Sequence, residues 1–131
     1  MHRLIVAAVL TVAISGCGGD ATGPREPTPG TLTVSLTPPS GVTTGAVIMT
    51  LDGPGAITQV AGAAGGYGVY SRPVSSGVRV AVFGTLTPGA LVRFHVPDTG
   101  DADEYTAAVV EVAGTDNELE PATGYGLAIA E

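Results

Sequence analysis

Tryptophan and lysine are absent from this 131-residue chain, and cysteine occurs once, at Cys17. A lone cysteine excludes an internal disulfide, so packing and backbone hydrogen bonds must hold the fold. Histidine is nearly absent too: beyond His2 there is only His95. One histidine and one cysteine do not make a usual zinc ligand set. A Ser-His-Asp arrangement would need His95 as its base, yet His95 falls mid-strand beside Arg93, and no nucleophile-elbow motif accompanies it. Catalysis is therefore not expected. Beyond Arg3 the basic residues are Arg25, Arg72, Arg79 and Arg93, against 12 acidic residues, and the chain's net charge is −7. Recognition of DNA, RNA or anionic lipid through charge needs a basic footprint, so no nucleic-acid partner is expected. Acidic charge favours solubility and leaves room for a divalent cation or a basic partner. Helical patterning is scarce as well. Val, Thr and Gly are abundant, and 20 glycines and 10 prolines punctuate the chain. Short strands between regular turn signals suggest an all-β sandwich or barrel.

The chain's start is organised differently. His2 and Arg3 precede an apolar run, Leu4–Ile14, that ends in Ile14-Ser15-Gly16-Cys17. At ~1.5 Å per residue, an 11-residue helix is far shorter than a bilayer core of ~30 Å. A basic start, a short apolar run and small residues at the end read as a helical signal peptide over residues 1–16. A branched apolar residue, two small residues and a cysteine resemble the lipobox of bacterial lipoproteins. The resemblance implies cleavage before Cys17, a diacylglycerol thioether on its sulfur and often an acyl chain, such as palmitate, on the new amino group. Several acyl chains, at ~0.8 kcal/mol per buried CH₂, would anchor the protein stably. Gly18, not Asp, follows the cysteine. In Gram-negative lipoproteins that implies the outer membrane. An ordinary signal peptide with a spare thiol at Cys17 is the other reading.

Residues 17–30 read as the lipidated cysteine and a flexible tether, GGDATGPREPTPG after Cys17, stiffer around Pro24, Pro27 and Pro29. Extended, its thirteen residues reach at most roughly 40 Å. Residues 31–131 read as one domain of about seven to nine short strands. Thr31–Thr37 alternates, with Leu32, Val34 and Leu36 on one face. Ala46–Leu51 is more apolar and suits burial on both faces. Ala56–Gly66 fits either a short strand or a helical turn. Tyr67–Ser71 is a strand that Pro73 should break. Val78–Gly84 sets Val78, Val80 and Val82 against Arg79, Ala81 and Phe83. Ala90–Val96 sets Ala90, Val92, Phe94 and Val96 inward, with Leu91, Arg93 and His95 outward. Glu104–Val112 sets Thr106, Ala108, Val110 and Val112 against Tyr105, Ala107, Val109 and Glu111. Gly124–Ala130 sets Tyr125, Leu127 and Ile129 on one face. Two antiparallel sheets packed face to face accommodate this pattern, and a closed barrel is the alternative.

The stretches TLTVSLTPPSG, VRVAVFG followed by GALVRFHV, and YTAAVVEV resemble the cohesin-like and immunoglobulin-like β-sandwiches. The resemblance implies that fold over Thr31–Ala130, and cohesins bind their partners through a sheet face. No recognition motif of that family can be matched onto residues here, and fold alone does not license function.

Asp98, Asp101, Asp103 and Glu104 put four carboxylates into seven residues, a candidate calcium loop, although the spacing is not that of an EF-hand. A solvated acidic turn is the plainer reading. Asp116, Glu118 and Glu120 form a similar second loop. Tyr67, Tyr70, Tyr105 and Tyr125 suit either stacking on a glycan or capping a small core with the hydroxyl at its edge. Arg72, Arg79 and Arg93 suggest a mild positive stripe on one sheet face. The expected function is that of a lipid-anchored cell-envelope protein whose sandwich is a non-catalytic interaction module for an envelope or extracellular protein, docking by a sheet face or an open strand edge. A ligand-binding domain for a glycan or calcium is the alternative.

Overall fold

The computed structural model describes residues 24–131; the expected signal peptide, Cys17 and the first part of the expected tether lie outside the described residues. Nine strands and one short 3₁₀ helix follow in order: β1 Gly30–Thr37, β2 Thr44–Asp52, β3 Thr58–Gly62, β4 Gly68–Val74, β5 Gly77–Leu86, β6 Gly89–Val96, η1 Thr99–Glu104, β7 Thr106–Gly114, β8 Leu119–Glu120 and β9 Gly126–Ala130. They form a two-sheet antiparallel sandwich. One sheet has the order β3-β6-β1-β9 and the other β4-β5-β2-β7-β8.

Alternation builds the core. Leu32, Val34 and Leu36 of β1 and Val92, Phe94 and Val96 of β6 meet Val47, Met49 and Leu51 of β2 and Val80 and Val82 of β5, all fully or almost fully buried. Tyr105 closes one end, its ring centroid 6.0 Å from that of Phe94 and tilted by 54°. An added Cβ on Gly53 would fall 2.1 Å from the Tyr105 ring, so the β2–β3 turn can approach it only with glycine at that position. Tyr125, Leu127 and Ile129 pack against the same core, as their spacing predicts.

Two face assignments differ from strict alternation, each at a bulge. Val34 pairs with Val92 but Ser35 pairs with Ala90, which leaves Leu91 as an extra residue in β6. Leu91 is consequently buried and Ala90 exposed, the reverse of the expected pattern. In β7, Ile48 faces Glu111 and Met49 faces Val109, so Val110 is the extra residue. Past it the phase inverts: Val112 joins Tyr105 and Val109 on the core side, whereas Thr106, Ala108 and Val110 stay outside.

Other departures have equally local causes. Pro73 does not end its strand: β4 runs to Val74, because an edge strand pairs on one side only and tolerates a missing N–H. The ambiguous stretch Ala56–Gly66 contains β3, irregular at Gln59, whose φ is 51°. β2 is buried on its inner face but only half-buried on the outer one, where Ala46, Ile48 and Thr50 lie. The acidic stretch is a 3₁₀ helix with Asp98 as its N-cap rather than an open loop. Pro24–Pro29 has no regular structure, yet it is held to η1.

Candidate functional site

Chemistry-bearing residues gather at the acidic end of the sandwich first. Asp98 Oδ1 and Oδ2 accept hydrogen bonds from Arg25 Nη1 and Nη2 at 2.9 and 2.6 Å, a two-pronged ion pair. Asp98 Oδ1 also accepts from the backbone N–H of Thr28 at 3.1 Å and of Gly100 at 3.0 Å. Arg25 reaches Asp101 at 3.4 Å, and Thr99 donates its backbone N–H to the Thr28 carbonyl at 2.8 Å. The Arg25 side chain and these N–H groups hold the Asp98 carboxyl down at about 2, below its ordinary 3.8. Gly100 is part of the fit, since a Cβ there would fall 2.2 Å from Arg25 Nη1. The cluster thus clasps the tether to the domain. Of the expected calcium ligands, Asp98 spends both oxygens on this clasp, and Asp103 and Glu104 are exposed to solvent. Among the described residues no three His, Cys, Asp or Glu side chains converge.

Turn-making accounts for the second acidic loop. Asp116 Oδ1 accepts from the Glu118 N–H at 3.1 Å, Gly114 donates to the Glu118 carbonyl at 2.9 Å, and Asn117 takes φ 64°. These are the contacts of an Asx turn joining β7 to β8.

Three of the four tyrosines are structural. Tyr105 is buried, Tyr125 shares a hydrogen bond with Thr44 Oγ1 at 3.1 Å, and Tyr67 holds Thr87 at 3.0 and 3.1 Å. His95 stands on the outer face of the four-stranded sheet with Thr31 and Thr58 as its cross-strand neighbours. The arginines do not form one stripe. Arg93 shares the four-stranded sheet with His95, while Arg72 and Arg79 lie directly opposite each other on the five-stranded one.

The two outer faces contrast. That of the four-stranded sheet carries Thr31, Thr33, Ser35 and Thr37 beside Arg93 and His95. The outer face of the five-stranded sheet is apolar through its middle. Register pairing places Gly68, Phe83, Ala46, Ala113 and Leu119 in one row across the strands, and Tyr70, Ala81, Ile48 and Glu111 in the next, beside the bulged Val110. Leu119, Tyr70, Phe83 and Val110 are 71%, 69%, 53% and 44% exposed. Between them Ala46, Ile48, Val112, Ala113, Leu119 and Glu111 line a shallow cleft. Isolated exposed apolar residues are ordinary, whereas these side chains are neighbours across the strands of one sheet face. Sequence reading missed this band because Tyr70, Phe83, Val110 and Leu119 come from four strands. The outward alternation of Phe83 and the apolar character of Ala46–Leu51 were the available signals. Comparison with family models, with curated proteins and with solved structures found no match for this chain.

Proposed function

We propose that this protein is a lipid-anchored component of the bacterial cell envelope, held in the membrane through Cys17, in the outer membrane if the host is Gram-negative. Its sandwich acts as a non-catalytic protein-interaction module. The observation that carries the module reading is the apolar outer face of the five-stranded sheet, with Tyr70, Phe83, Val110 and Leu119 presented together around a cleft. Rigid aromatic and aliphatic anchors on a flat strand platform are what a protein partner buries at the centre of an interface. The anchor reading rests on the lipobox-like Ile14-Ser15-Gly16-Cys17. The glycan and calcium alternatives have less to draw on. Tyr70 alone among the tyrosines is free to stack on a sugar, and Asp98 is committed to Arg25.

A photo-crosslinking residue placed at Phe83, compared with one at Thr33 on the opposite face, tests the module in intact cells. Protein adducts from position 83 and none from 33 are the expected result; no adduct from 83, or equal adducts from both, would overturn the docking face. Intact mass and membrane partition, wild type beside Cys17→Ala, test the anchor. The wild type should carry acyl mass on a chain starting at Cys17 and sediment with membranes, and the variant should lose both. An unmodified, soluble wild type would sink the anchor.

A further inference from the structure

We infer that the partner of the five-stranded face is a second copy of this chain, packed face to face about a two-fold axis lying along β2. The inference rests on reading that face as a docking surface, and it names the occupant. β2 is the middle strand of the five, so an axis along it lays β5 of one copy over β7 of the other, and β4 over β8.

The first row of the face is then complementary to itself. In the first row, Gly68 and Phe83 precede Ala46, and Ala113 and Leu119 follow it. Folding that row about its centre sets Phe83 over Ala113 and Leu119 over the position of Gly68, large against small each time. Phe83 of one copy faces the cleft between Ala46, Ala113 and Leu119 of the other. In the second row, the small Ala81 meets Glu111 with the bulged Val110 beside it, and Ile48 meets its own copy on the axis. Interdigitation of this kind is how stacked sheets reach interior packing density.

Charge on the strands flanking β2 follows the same symmetry. Arg72 and Arg79 lie opposite each other on one side of β2, an arrangement of like charges that costs stability within a single copy. Neither forms an ion pair among the described residues, and Arg79 Nε is buried there without a hydrogen-bond partner. Glu111 lies on the other side of β2, exposed and likewise without an ion pair there. The axis carries Arg79 of one copy over β7 of the other, one row along the strand from Glu111. That offset is about 7 Å, within reach of a guanidinium on its flexible stem. Each dimer makes the contact twice. An unrelated partner would need to reproduce both the size pattern and the charge pattern, whereas a second copy carries them already.

Sedimentation velocity on the full chain bearing Cys17→Ala, which cannot be lipidated at that position, tests the pairing without acyl chains. A reversible dimer is expected. Arg79→Glu and Glu111→Arg should each weaken it on the order of a hundredfold, since like charges then meet twice per interface. The double reversal should recover most of the loss, a rescue that general damage to the fold could not produce. A chain that stays monomeric would overturn the second copy as the occupant. The adducts at position 83 judge the docking face separately, because a foreign protein crosslinked there leaves that face standing. A dimer indifferent to both reversals but abolished by Ala128→Pro would place the contact at the β9 edge and overturn this geometry.

Discussion

Arg25 and Asp98 are 73 positions apart, and their contact changes what the tether is. Composition alone makes residues 17–30 a flexible spacer. In the fold, Arg25 and Thr28 are fastened to the N-cap of η1, so this part of the tether belongs to the domain. The pairing was not legible in the sequence, because an arginine among prolines and an aspartate in an acidic run carry no mutual signal. Linkage gives the pH dependence its sign. The Asp98 carboxyl is held at about 2 against an ordinary 3.8, so the clasp's contribution is complete above about pH 4 and is lost as pH falls through 2. A carboxyl NMR titration should find a midpoint for Asp98 near 2, moving up toward the ordinary carboxylate range in Arg25→Ala. An ordinary midpoint in the wild type would dispose of the clasp. A second residue-scale test concerns the β6 bulge. Leu91→Thr should cost about 2–4 kcal/mol, because it removes buried apolar volume and buries a hydroxyl. Ala90→Thr, on an exposed position, should stay within about 0.5 kcal/mol. Urea unfolding decides between this order and the reverse, which plain alternation predicts.

At the scale of elements, alternation was the most legible property of the chain. β1, β5 and β9 bury the residues their period-two patterns select. The pattern failed in the first half of β6 and the second half of β7, where one extra residue inverts the phase. A bulge is a relation between two strands, so one strand's sequence cannot announce it. Edges also became visible only in the assembled sheets. β4 carries Pro73, β8 is two residues long and β3 is broken by the positive φ of Gln59; each device blunts a ladder against further pairing. β2 lies at the opposite extreme, paired on both sides and buried along Val47, Met49 and Leu51. Its central amides should exchange with solvent only through global unfolding, and those of β3 and β8 through local opening. Hydrogen exchange that protects β8 as strongly as β2 would contradict the arrangement.

For the whole molecule, the two outer faces matter more than any single residue. One is a threonine-rich polar surface and the other an apolar band bounded by Arg72 and Arg79 on one side and Glu111 on the other. A net charge of −7 favours solubility, and one sheet face is nonetheless apolar. The crosslinking contrast between positions 83 and 33 is accordingly a prediction about the molecule's asymmetry, and the charge-reversal rescue is a prediction about its symmetry as a pair.

Composition and period determined the class of this protein from the sequence alone. A lone cysteine after a short apolar run, no lysine or tryptophan, and β-alternation between Gly and Pro turns lead to an exported, non-catalytic sandwich as the expectation, and the fold class is what the structure shows. These signals are local, and each can be read within a dozen residues. Tertiary structure decided what lies across the chain: the bulges that bury Leu91 and Val112, the clasp between Arg25 and Asp98, the division of the arginines between two sheets, and the apolar band that four strands assemble. The physical reason is that strand register and side-chain reach are set by partners distant in sequence, and no period along one strand encodes them.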